Sequence, residues 1–253
     1  MNAKLMVQCA AMVVISVFGC HVRAQTALND DGIQSVSSCR VIDRPGSYAL
    51  TRNITARQQD LKPSPAGVGG PSCVVIVADF VTLDLRGFAI TGPGTGNGVY
   101  ATQNSVGRFS NAVAVRNGSV RNFDRGISFE GASHAAADVR LISNGTGLTF
   151  DGINLSAERV QSLLNNGDGI LCFGGFGNSV RNTGANQNGA NGINLSACLG
   201  SSVIGNLASA NGGVGIVAAC PSVVLQNSSF QNAAGEIRAD GGSCTRSDNN
   251  PAP

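Results

Sequence analysis

The sequence has little charge, few aromatic residues and no tryptophan. Charged residues make up 13% of its 253 residues and aromatic residues 5%. An intrinsically disordered chain would carry more charge and fewer aliphatic residues, and a collagen chain would have glycine at every third position. Neither description fits a chain that is 42% hydrophobic. The composition therefore predicts a folded domain.

The sequence also lacks runs of like charge and any large excess of one sign. It has 17 Lys and Arg against 15 Asp and Glu, and loss of Lys4 and Arg23 with the leader described next would leave the two signs equal. A neutral chain disfavours nucleic acid as a partner, because neutralisation of phosphates by Lys and Arg dominates that affinity. The chain offers no polybasic patch to a membrane surface either.

One long apolar stretch is present, and it lies at the N-terminus. Lys4 precedes a mostly apolar segment at residues 5–19, and small side chains stand just before Gln25. This arrangement predicts a signal peptide over residues 1–24. The alternative is cleavage before Cys20, as in a lipoprotein. Because no later stretch could span a bilayer, we expect an exported protein, periplasmic or extracellular, without a membrane span.

A repeat of 21 to 23 residues runs through the chain. The intervals from Val180 to Ile193, from Val203 to Ile216 and from Val224 to Ile237 each measure 13 residues. The aliphatic residue that follows the glycine turn recurs upstream at Val99, Ile127, Leu148 and Ile170. An asparagine column keeps the same spacing at Asn165, Asn188, Asn211 and Asn232. Short β-branched runs separated by Asn and Gly at a fixed period predict a solenoid.

The repeat also predicts which side chains face the core. Residues 81–86 alternate apolar and polar, so Val81, Leu83 and Leu85 should point inward. A further inward column should lie two residues after each repeated aliphatic, at Phe129, Phe150, Cys172, Leu195 and Ala218. We expect the asparagines to fill turns, because Asn tolerates a positive φ and its amide can bond to the coils above and below.

Six cysteines follow the leader, which suits disulfides in an oxidising compartment. Cys39 and Cys73 bracket the region before the repeats, and we expect them to pair. Cys198, Cys220 and Cys244 are 22 and 24 residues apart, so they fall on successive repeats and at least one pair should form. Neighbouring parallel strands are about 4.8 Å apart, a distance that a disulfide accepts. Without a Cys-x-x-Cys motif or a His cluster, no metal site is expected.

These features divide the rest of the chain into three parts. Residues 25–72 do not repeat, and residues 61–71 form a loop rich in Pro and Gly. We predict that this region is an N-terminal cap, since a solenoid must cover its first layer. Residues 73–241 should form about seven coils of 21–23 residues, and residues 242–253 a C-terminal tail.

The residues that carry a family resemblance are the run at 81–94, the segment VRNGSVR at 115–121 and the recurring Asn-Gly-x-Gly-Ile turns. The segment at 46–50 resembles the lead-in of exported members. Together they resemble right-handed parallel β-helix repeat proteins of the pectate-lyase-like superfamily, including NosD-type carbohydrate-binding and sugar-hydrolase repeats. The resemblance covers roughly residues 39–244 and implies an all-β, single-domain right-handed parallel β-helix. It transfers no catalytic residue, because the signatures of pectate lyases, polygalacturonases and alginate epimerases are absent.

Two carboxylates are the first candidate site. Glu130 and Asp151 each lie three residues after a repeated aliphatic, which predicts outward positions on adjacent coils. Two carboxylates this close repel, which raises one pKa or attracts a cation, and either outcome serves glycoside chemistry or Ca²⁺ binding. His134 lies four residues after Glu130. The alternative is a solvated pair neutralised by Arg125 or Arg140.

Three arginines are the second candidate site. Arg116, Arg140 and Arg181 each follow an inward valine, so we predict an outward column that grips carboxylated or sulfated glycans. The alternative is a solvated face neutralised by Glu158 and Asp138. The absence of Trp, with two Tyr in the chain, argues against a strong binder of neutral glycans.

We expect, on these grounds, an exported β-helix scaffold that binds polysaccharide, with an acidic polysaccharide as its partner. Few long insertions are available to build a substrate groove, which favours a scaffold over an enzyme. The alternative function is a polysaccharide lyase, epimerase or hydrolase that acts on acidic glycans, with Glu130 and Asp151 as catalytic residues. No cofactor is expected, with Ca²⁺ at the two carboxylates as the alternative.

Overall fold

Short β-strands make up most of the described part of the chain, residues 32–251 of the computed structural model. The strands are short because runs of β-branched residues are interrupted by Gly and Asn. A 3₁₀ turn at Gln58–Asp60 is the one helical element in this range. No helix among the described residues is long and apolar enough to cross a membrane. The signal peptide predicted at residues 1–24, with the alternative cleavage at Cys20, lies outside the described residues.

The strands follow one another in chain order. The first thirteen are β1 Gln34–Val36, β2 Arg40–Ile42, β3 Gly46–Leu50, β4 Ile54–Thr55, β5 Ser72–Ile76, β6 Val81–Asp84, β7 Ala89–Thr91, β8 Asn97–Ala101, β9 Ala114–Arg121, β10 Arg125–Ala132, β11 Ala135–Ile142, β12 Thr146–Ile153 and β13 Ser156–Glu158. The others are β14 Gln161–Leu163, β15 Ile170–Phe176, β16 Ser179–Arg181, β17 Gly184–Asn186, β18 Ile193–Leu195, β19 Cys198–Leu199, β20 Ser202–Ile204, β21 Leu207–Ser209, β22 Ile216–Ala219, β23 Val223–Leu225, β24 Ser228–Phe230, β25 Ile237–Asp240, β26 Thr245–Ser247 and β27 Asn250–Pro251.

Parallel pairing sorts these strands into three ladders, which form three faces. Face 1 contains β2, β5, β8, β10, β12, β15, β18, β22 and β25, and β19 pairs with the end of β15 on the same face. Face 2 contains β1, β3, β6, β13, β16, β20, β23, β26 and the first halves of β9 and β11. Face 3 contains β4, β7, β14, β17, β21, β24, β27 and the second halves of β9 and β11. Each turn of the chain visits every face, which gives a right-handed-type parallel β-solenoid of about 8 turns.

Stacked apolar side chains fill the inside of the solenoid. The predicted inward column is confirmed, since all its members are at most 1% exposed; they are Phe129, Phe150, Cys172, Leu195 and Ala218. Val81, Leu83 and Leu85 are buried as well, as their alternation predicted. A single coil has too little apolar surface to form a core, and stacking joins the coils into a continuous one.

The chain turns between faces through residues in the left-handed region of φ. At the corner from face 3 to face 1, six such residues have φ between 54° and 59°; they are Asn122, Ser143, Leu164, Gln187, Ala210 and Gln231. An asparagine follows each of the last five. We expected the asparagine column to take the positive φ. That expectation is wrong, because the residue before each asparagine takes it. The asparagines therefore serve this corner through hydrogen bonds.

The asparagine column is a buried hydrogen-bonded ladder. Asn165 donates from its backbone N–H and from Nδ2 to Oδ1 of Asn188, at 3.2 and 2.9 Å. The same double donation joins Asn144 to Asn165, Asn188 to Asn211 and Asn211 to Asn232. At the last rung, the Glu236 carboxylate accepts the two donors of Asn232. The predicted bonding between coils is confirmed.

The ladders reach beyond the limits predicted for the β-helix. Strands β1 to β4 occupy residues 34–55 and pair in parallel with the coils that follow. The structure thus does not show the cap predicted at residues 25–72 as a separate unit. Strands β26 and β27 add rungs within the predicted tail at 242–253. These end strands carry no Asn–Gly repeat, so the periodic signal did not include them.

Three disulfides tie successive coils together. Cys39 is bonded to Cys73 as predicted, with Cα atoms 4.4 Å apart. Cys220 is bonded to Cys244, which supplies the pair expected among the last three cysteines. Cys198 is bonded to Cys172, with Cα atoms 6.1 Å apart. The sequence placed Cys172 in the inward column without a partner, because the spacing of 26 residues exceeds the repeat.

Candidate functional site

Face 1 carries the two carboxylates that the repeat spacing placed together. Strands β10 and β12 pair so that Glu130 stands directly beside Asp151. Each follows a buried phenylalanine, so each begins on the outward side of its strand. The structure therefore brings this predicted pair together on adjacent coils.

The pair lines a groove of about 620 Å³ above face 1, which we call the carboxylate groove. The loop before β5 contributes Val68 to its wall, and the loop after β8 contributes Phe109. These two side chains are 41% and 45% exposed, so the groove sets apolar surface beside an acidic pair. The sequence identified residues 61–71 as a loop without placing them over this face.

The two carboxylates have different surroundings. Glu130 accepts a hydrogen bond at Oε2 from Thr102 Oγ1, at 2.7 Å. Burial raises the pKa of Asp151, the Glu130 carboxylate raises it further, and Arg125 opposes both effects. Neighbouring carboxyl groups in unequal environments are suited to different protonation states. Protonation of Asp151 is accordingly easier than that of a free aspartate.

A cation lies beside the carboxylates. The guanidinium carbon of Arg125 stands 5.1 Å from the centre of the Phe173 ring, which is a cation–π contact. Phe173 is itself half exposed. On the same face the outward residues Ser128 and Thr149 are 2% and 1% exposed, and their hydroxyls are hydrogen-bonded at 2.7 Å. Face 1 thus combines two carboxylates, one guanidinium and apolar surface, with Arg125 and Phe173 outside the lining of the groove itself.

Tyr100 is a residue of this face that sequence reasoning missed. It lies on β8 in register with Ser128, at an outward position, yet it is fully buried. Its hydroxyl lies close to the Glu130 carboxylate and to Thr102, but neither contact has the geometry of a hydrogen bond. Burial, with help from the nearby Glu130 carboxylate, raises the pKa of Tyr100. Its outward register one coil before Glu130 was the signal that could have found it.

His134 does not reach the groove. It is fully buried, with its ring 5.3 Å from that of Phe129. Its Nδ1 accepts a hydrogen bond from the Val113 N–H at 3.1 Å, so Nε2 carries the proton and donates to the Glu130 carbonyl at 3.1 Å. Burial also lowers the pKa of His134. This neutral imidazole is a structural residue beneath the site.

The three arginines predicted to form a column do not form one. Arg116 and Arg181 lie on face 2 but are separated by two intervening coils. Arg140 lies on face 3, because its preceding residue, Val139, comes after the corner in β11. Arg116 forms an ion pair with Asp84 at 3.2 Å. The prediction of stacked guanidiniums is therefore wrong.

The neutralised face that we considered as the alternative is centred on Arg159. Its guanidinium donates to both oxygens of Asp138, at 2.7 and 2.9 Å, and also contacts Glu158. The hydrogen bond with Arg159 lowers the pKa of Asp138, and the same contact raises the pKa of Arg159. All three side chains are exposed, so this network contributes little stability.

Fold and groove together define the class of protein. A right-handed-type parallel solenoid with loops that wall one outward strand face is a parallel β-helix protein. The family model described as "Periplasmic copper-binding protein (NosD)" matches residues 80–247, more than half of the chain. The chain therefore belongs to the NosD family. Comparison with curated protein sequences gives no significant match.

Solved structures share the fold at low sequence identity. A mutant of the periplasmic alginate epimerase AlgG is 15% identical, with a TM-score of 0.58, and the match covers 90% of this chain and 64% of that one. The A-module of the Azotobacter vinelandii mannuronan C-5 epimerase AlgE4 is 12% identical, with a TM-score of 0.53, over 86% of this chain and 76% of that module. The chain thus spans less than two thirds of the AlgG chain, and at these identities the likeness is one of fold.

Proposed function

We propose that this chain binds a polysaccharide in the carboxylate groove of face 1. The observation that carries the proposal is the side-by-side placement of Glu130 and Asp151 in a groove with apolar walls. Sugar hydroxyls donate to carboxylates, and the C–H faces of sugar rings pack on apolar side chains such as Val68 and Phe109. The groove therefore offers both kinds of contact that a pyranose ring makes.

A carboxylated polysaccharide is the class that we propose first. Arg125 supplies a cation on the same face, and its charge favours an anionic glycan over a neutral one. The structural neighbours are, by name, epimerases of alginate and mannuronan, which makes oligomannuronate a rational first probe. Neutral glucan is the matched probe that lacks the carboxylate.

Calorimetric titration tests the proposal. We expect the wild-type chain to bind oligomannuronate, and Glu130→Gln and Asp151→Asn each to weaken binding about tenfold, as loss of a charge-assisted hydrogen bond would. Glu158→Gln, in the exposed network around Arg159, is the control and should bind normally. Normal affinity in both groove variants would place the ligand elsewhere. Absence of binding to any glycan would contradict the proposal itself.

A second candidate function is that of a lyase, epimerase or hydrolase acting on acidic glycans. It is favoured by one observation, the raised pKa of Asp151 beside Glu130, because acid–base catalysis uses carboxyl groups in unequal environments. Incubation with polymannuronate, followed by ultraviolet absorbance for unsaturated products, reducing-end assay and proton NMR, covers the three reactions. Binding without any of these products supports the scaffold.

The family description names copper, and the described residues do not fit a copper site. Copper in proteins favours thiolate, thioether and imidazole ligands. In residues 32–251 all six cysteines are in disulfides, methionine does not occur, and His134 is buried with both ring nitrogens engaged. Calcium would find few of its six to eight oxygens at the two carboxylates. The binding proposal therefore includes no metal, and titrations with and without a chelator check this.

We also propose that the protein is exported to the periplasm or beyond. Three disulfides suit an oxidising compartment, and the family description names the periplasm. Peptide mapping without reduction, on protein recovered from cell fractions, should find all three bridges in the exported fraction. Recovery of the chain in the cytoplasmic fraction with six free thiols would contradict export.

A further inference from the structure

A glycine-rich loop covers Tyr100 on face 1. Lys62 and Ser72 exchange backbone hydrogen bonds at 2.7 and 2.9 Å, which close the base of this loop. We call residues 63–71, between these two, the lid. Gly69, towards the C-terminal end of the lid, has a φ of +75° and runs so close to the Tyr100 hydroxyl that a Cβ at Gly69 would overlap it. The lid therefore fits over this phenol only with glycine at that position.

Few polar contacts hold the lid in place. Among the described contacts, the hydrogen bonds that hold it all lie near its C-terminal end. Asn97, on the next coil, donates from Nδ2 to the Gly69 carbonyl at 2.8 Å and from its N–H to the Pro71 carbonyl at 3.0 Å. Ser72 Oγ donates to the Gly70 carbonyl at 3.3 Å. The bond from the Gly67 N–H to the Ser64 carbonyl lies within the lid. Val68, which forms one wall of the carboxylate groove, is 41% exposed. A segment with so few buried contacts can open locally at low cost.

The closed lid leaves Tyr100 in an unfavourable state. A buried hydroxyl without a hydrogen-bond partner costs free energy that is recovered when it meets water or a ligand. Glu130 stands one coil further along and receives its hydrogen bond from Thr102. Removal of the lid would therefore expose a phenol next to the carboxylates of the groove. Opening of the weakly held lid would therefore make the buried Tyr100 hydroxyl available as a hydrogen-bond donor.

We propose that Tyr100 is a further ligand-binding residue of the carboxylate groove and that the lid opens to admit the glycan. In the open state the Tyr100 hydroxyl donates a hydrogen bond to a sugar oxygen beside Glu130. This inference rests on the proposed function, because it adds a residue to the same site. A ligand that binds only the open state shifts the population towards the open lid. Its apparent affinity is lower when a larger fraction of the protein has the lid closed.

Tyrosine absorbance tests the lid without any ligand. The chain has two tyrosines and no tryptophan, so in a Tyr48→Phe background the phenolate signal reports Tyr100 alone. We expect it to titrate above the ordinary value of about 10. Gly69→Ala should drive the lid off the hydroxyl and return the titration towards that value. Glu130 and Arg125, the charged groups that act on the phenol, are unchanged in this variant.

Gly67→Ala is the matched control. Gly67 has a φ of +72°, almost that of Gly69, but no atom lies within 4 Å of the Cβ that alanine would add. Both variants therefore strain the backbone equally, and Gly69→Ala alone meets Tyr100. If the pKa of Tyr100 stayed the same in Gly69→Ala, or if both variants lowered it equally, the proposal that the lid covers Tyr100 would be overturned.

Binding of oligomannuronate tests the role of the phenol. Tyr100→Phe should bind about fivefold more weakly, the loss of one hydrogen bond, while Gly69→Ala binds more tightly and Gly67→Ala like the wild type. Wild-type affinity in Tyr100→Phe would overturn the contact with the ligand. If the wild-type chain bound no glycan, the proposed function and the ligand contact would fail together, and the absorbance titration would still decide whether the lid covers Tyr100.

Discussion

Asp151 shows how one residue on face 1 links the site to stability. Its raised pKa means that the folded chain keeps the proton to a higher pH than the unfolded chain does. Between the ordinary pKa of an aspartate and the raised pKa of Asp151, the folded state binds more protons than the unfolded state does. The free energy of unfolding therefore falls as the pH rises through this window. Ionised Asp151 is thus slightly unfavourable at neutral pH, as is common for groups in ligand sites.

Asp151→Asn removes this ionisation. We expect the variant to be more stable than the wild type at neutral pH by a few tenths of a kcal/mol, since an exposed side chain is well screened. At a pH of about 3, where the carboxyl is protonated in both states, the two proteins should melt alike. Asp138→Asn should show no such gain, because Arg159 lowers the pKa of Asp138. A gain of equal size at both pH values would contradict the titration argument.

The register of face 1 can be tested with two adjacent residues. Leu195 is fully buried and Ser196 is exposed. Leu195→Asp places an unpaired charge in the continuous core and should cost about 4 kcal/mol or more. Ser196→Asp, as the control, should melt close to the wild type. Equal melting temperatures in thermal denaturation would show that the strand faces are assigned wrongly.

At the scale of the coil, each corner combines a left-handed residue with a polar residue directed inward. The corner between faces 3 and 1 uses the Asn144–Asn232 ladder. The corner between faces 2 and 3 uses a second ladder, formed by Thr183, Asn206, Asn227 and Asn249. In both, a side-chain oxygen accepts from the coil before it, so buried backbone N–H groups at the turns are satisfied.

Asn188→Ala tests the contribution of one rung. The substitution removes the acceptor of two Asn165 donors and the Nδ2 that donates to the Ser162 carbonyl at 3.1 Å. Buried donors left without partners should lower the free energy of unfolding by about 2–4 kcal/mol. Gln187→Ala, at the exposed left-handed position beside it, is the control and should change little. Similar urea denaturation midpoints for the two variants would contradict the ladder's role.

The periodic elements could be predicted from sequence, and the others could not. A fixed repeat sets the register, so the stacking of Phe129 on Phe150 and the pairing of Glu130 with Asp151 followed from spacing alone. Arg140 was misplaced because the inward valine before it, Val139, follows the corner, whereas Val115 and Val180 precede it. Tyr100 was missed because its burial depends on the lid, a loop without a period. Local spacing carries no information about which loop folds over which face.

At the scale of the whole molecule, the three faces carry different chemistry. Face 1 has the two walling loops, the carboxylate pair and Arg125. Faces 2 and 3 carry Arg116, Arg140 and Arg181 at exposed positions without a common column. A polysaccharide in the groove would therefore have one arginine on its own face. The other three would act on it at most through their distant fields, which salt screens.

This distribution allows the two hypotheses for an acidic glycan to be separated. Arg125→Gln should weaken the binding of oligomannuronate about tenfold at low salt and reduce its salt dependence, because it removes the cation beside the carboxylates. The triple variant Arg116→Gln, Arg140→Gln and Arg181→Gln removes more charge but none from face 1, and it should bind like the wild type. Melting temperatures check that both variants are folded. If the triple variant lost affinity while Arg125→Gln kept it, the glycan would lie on faces 2 and 3, and the arginines first selected from the sequence would be its contacts.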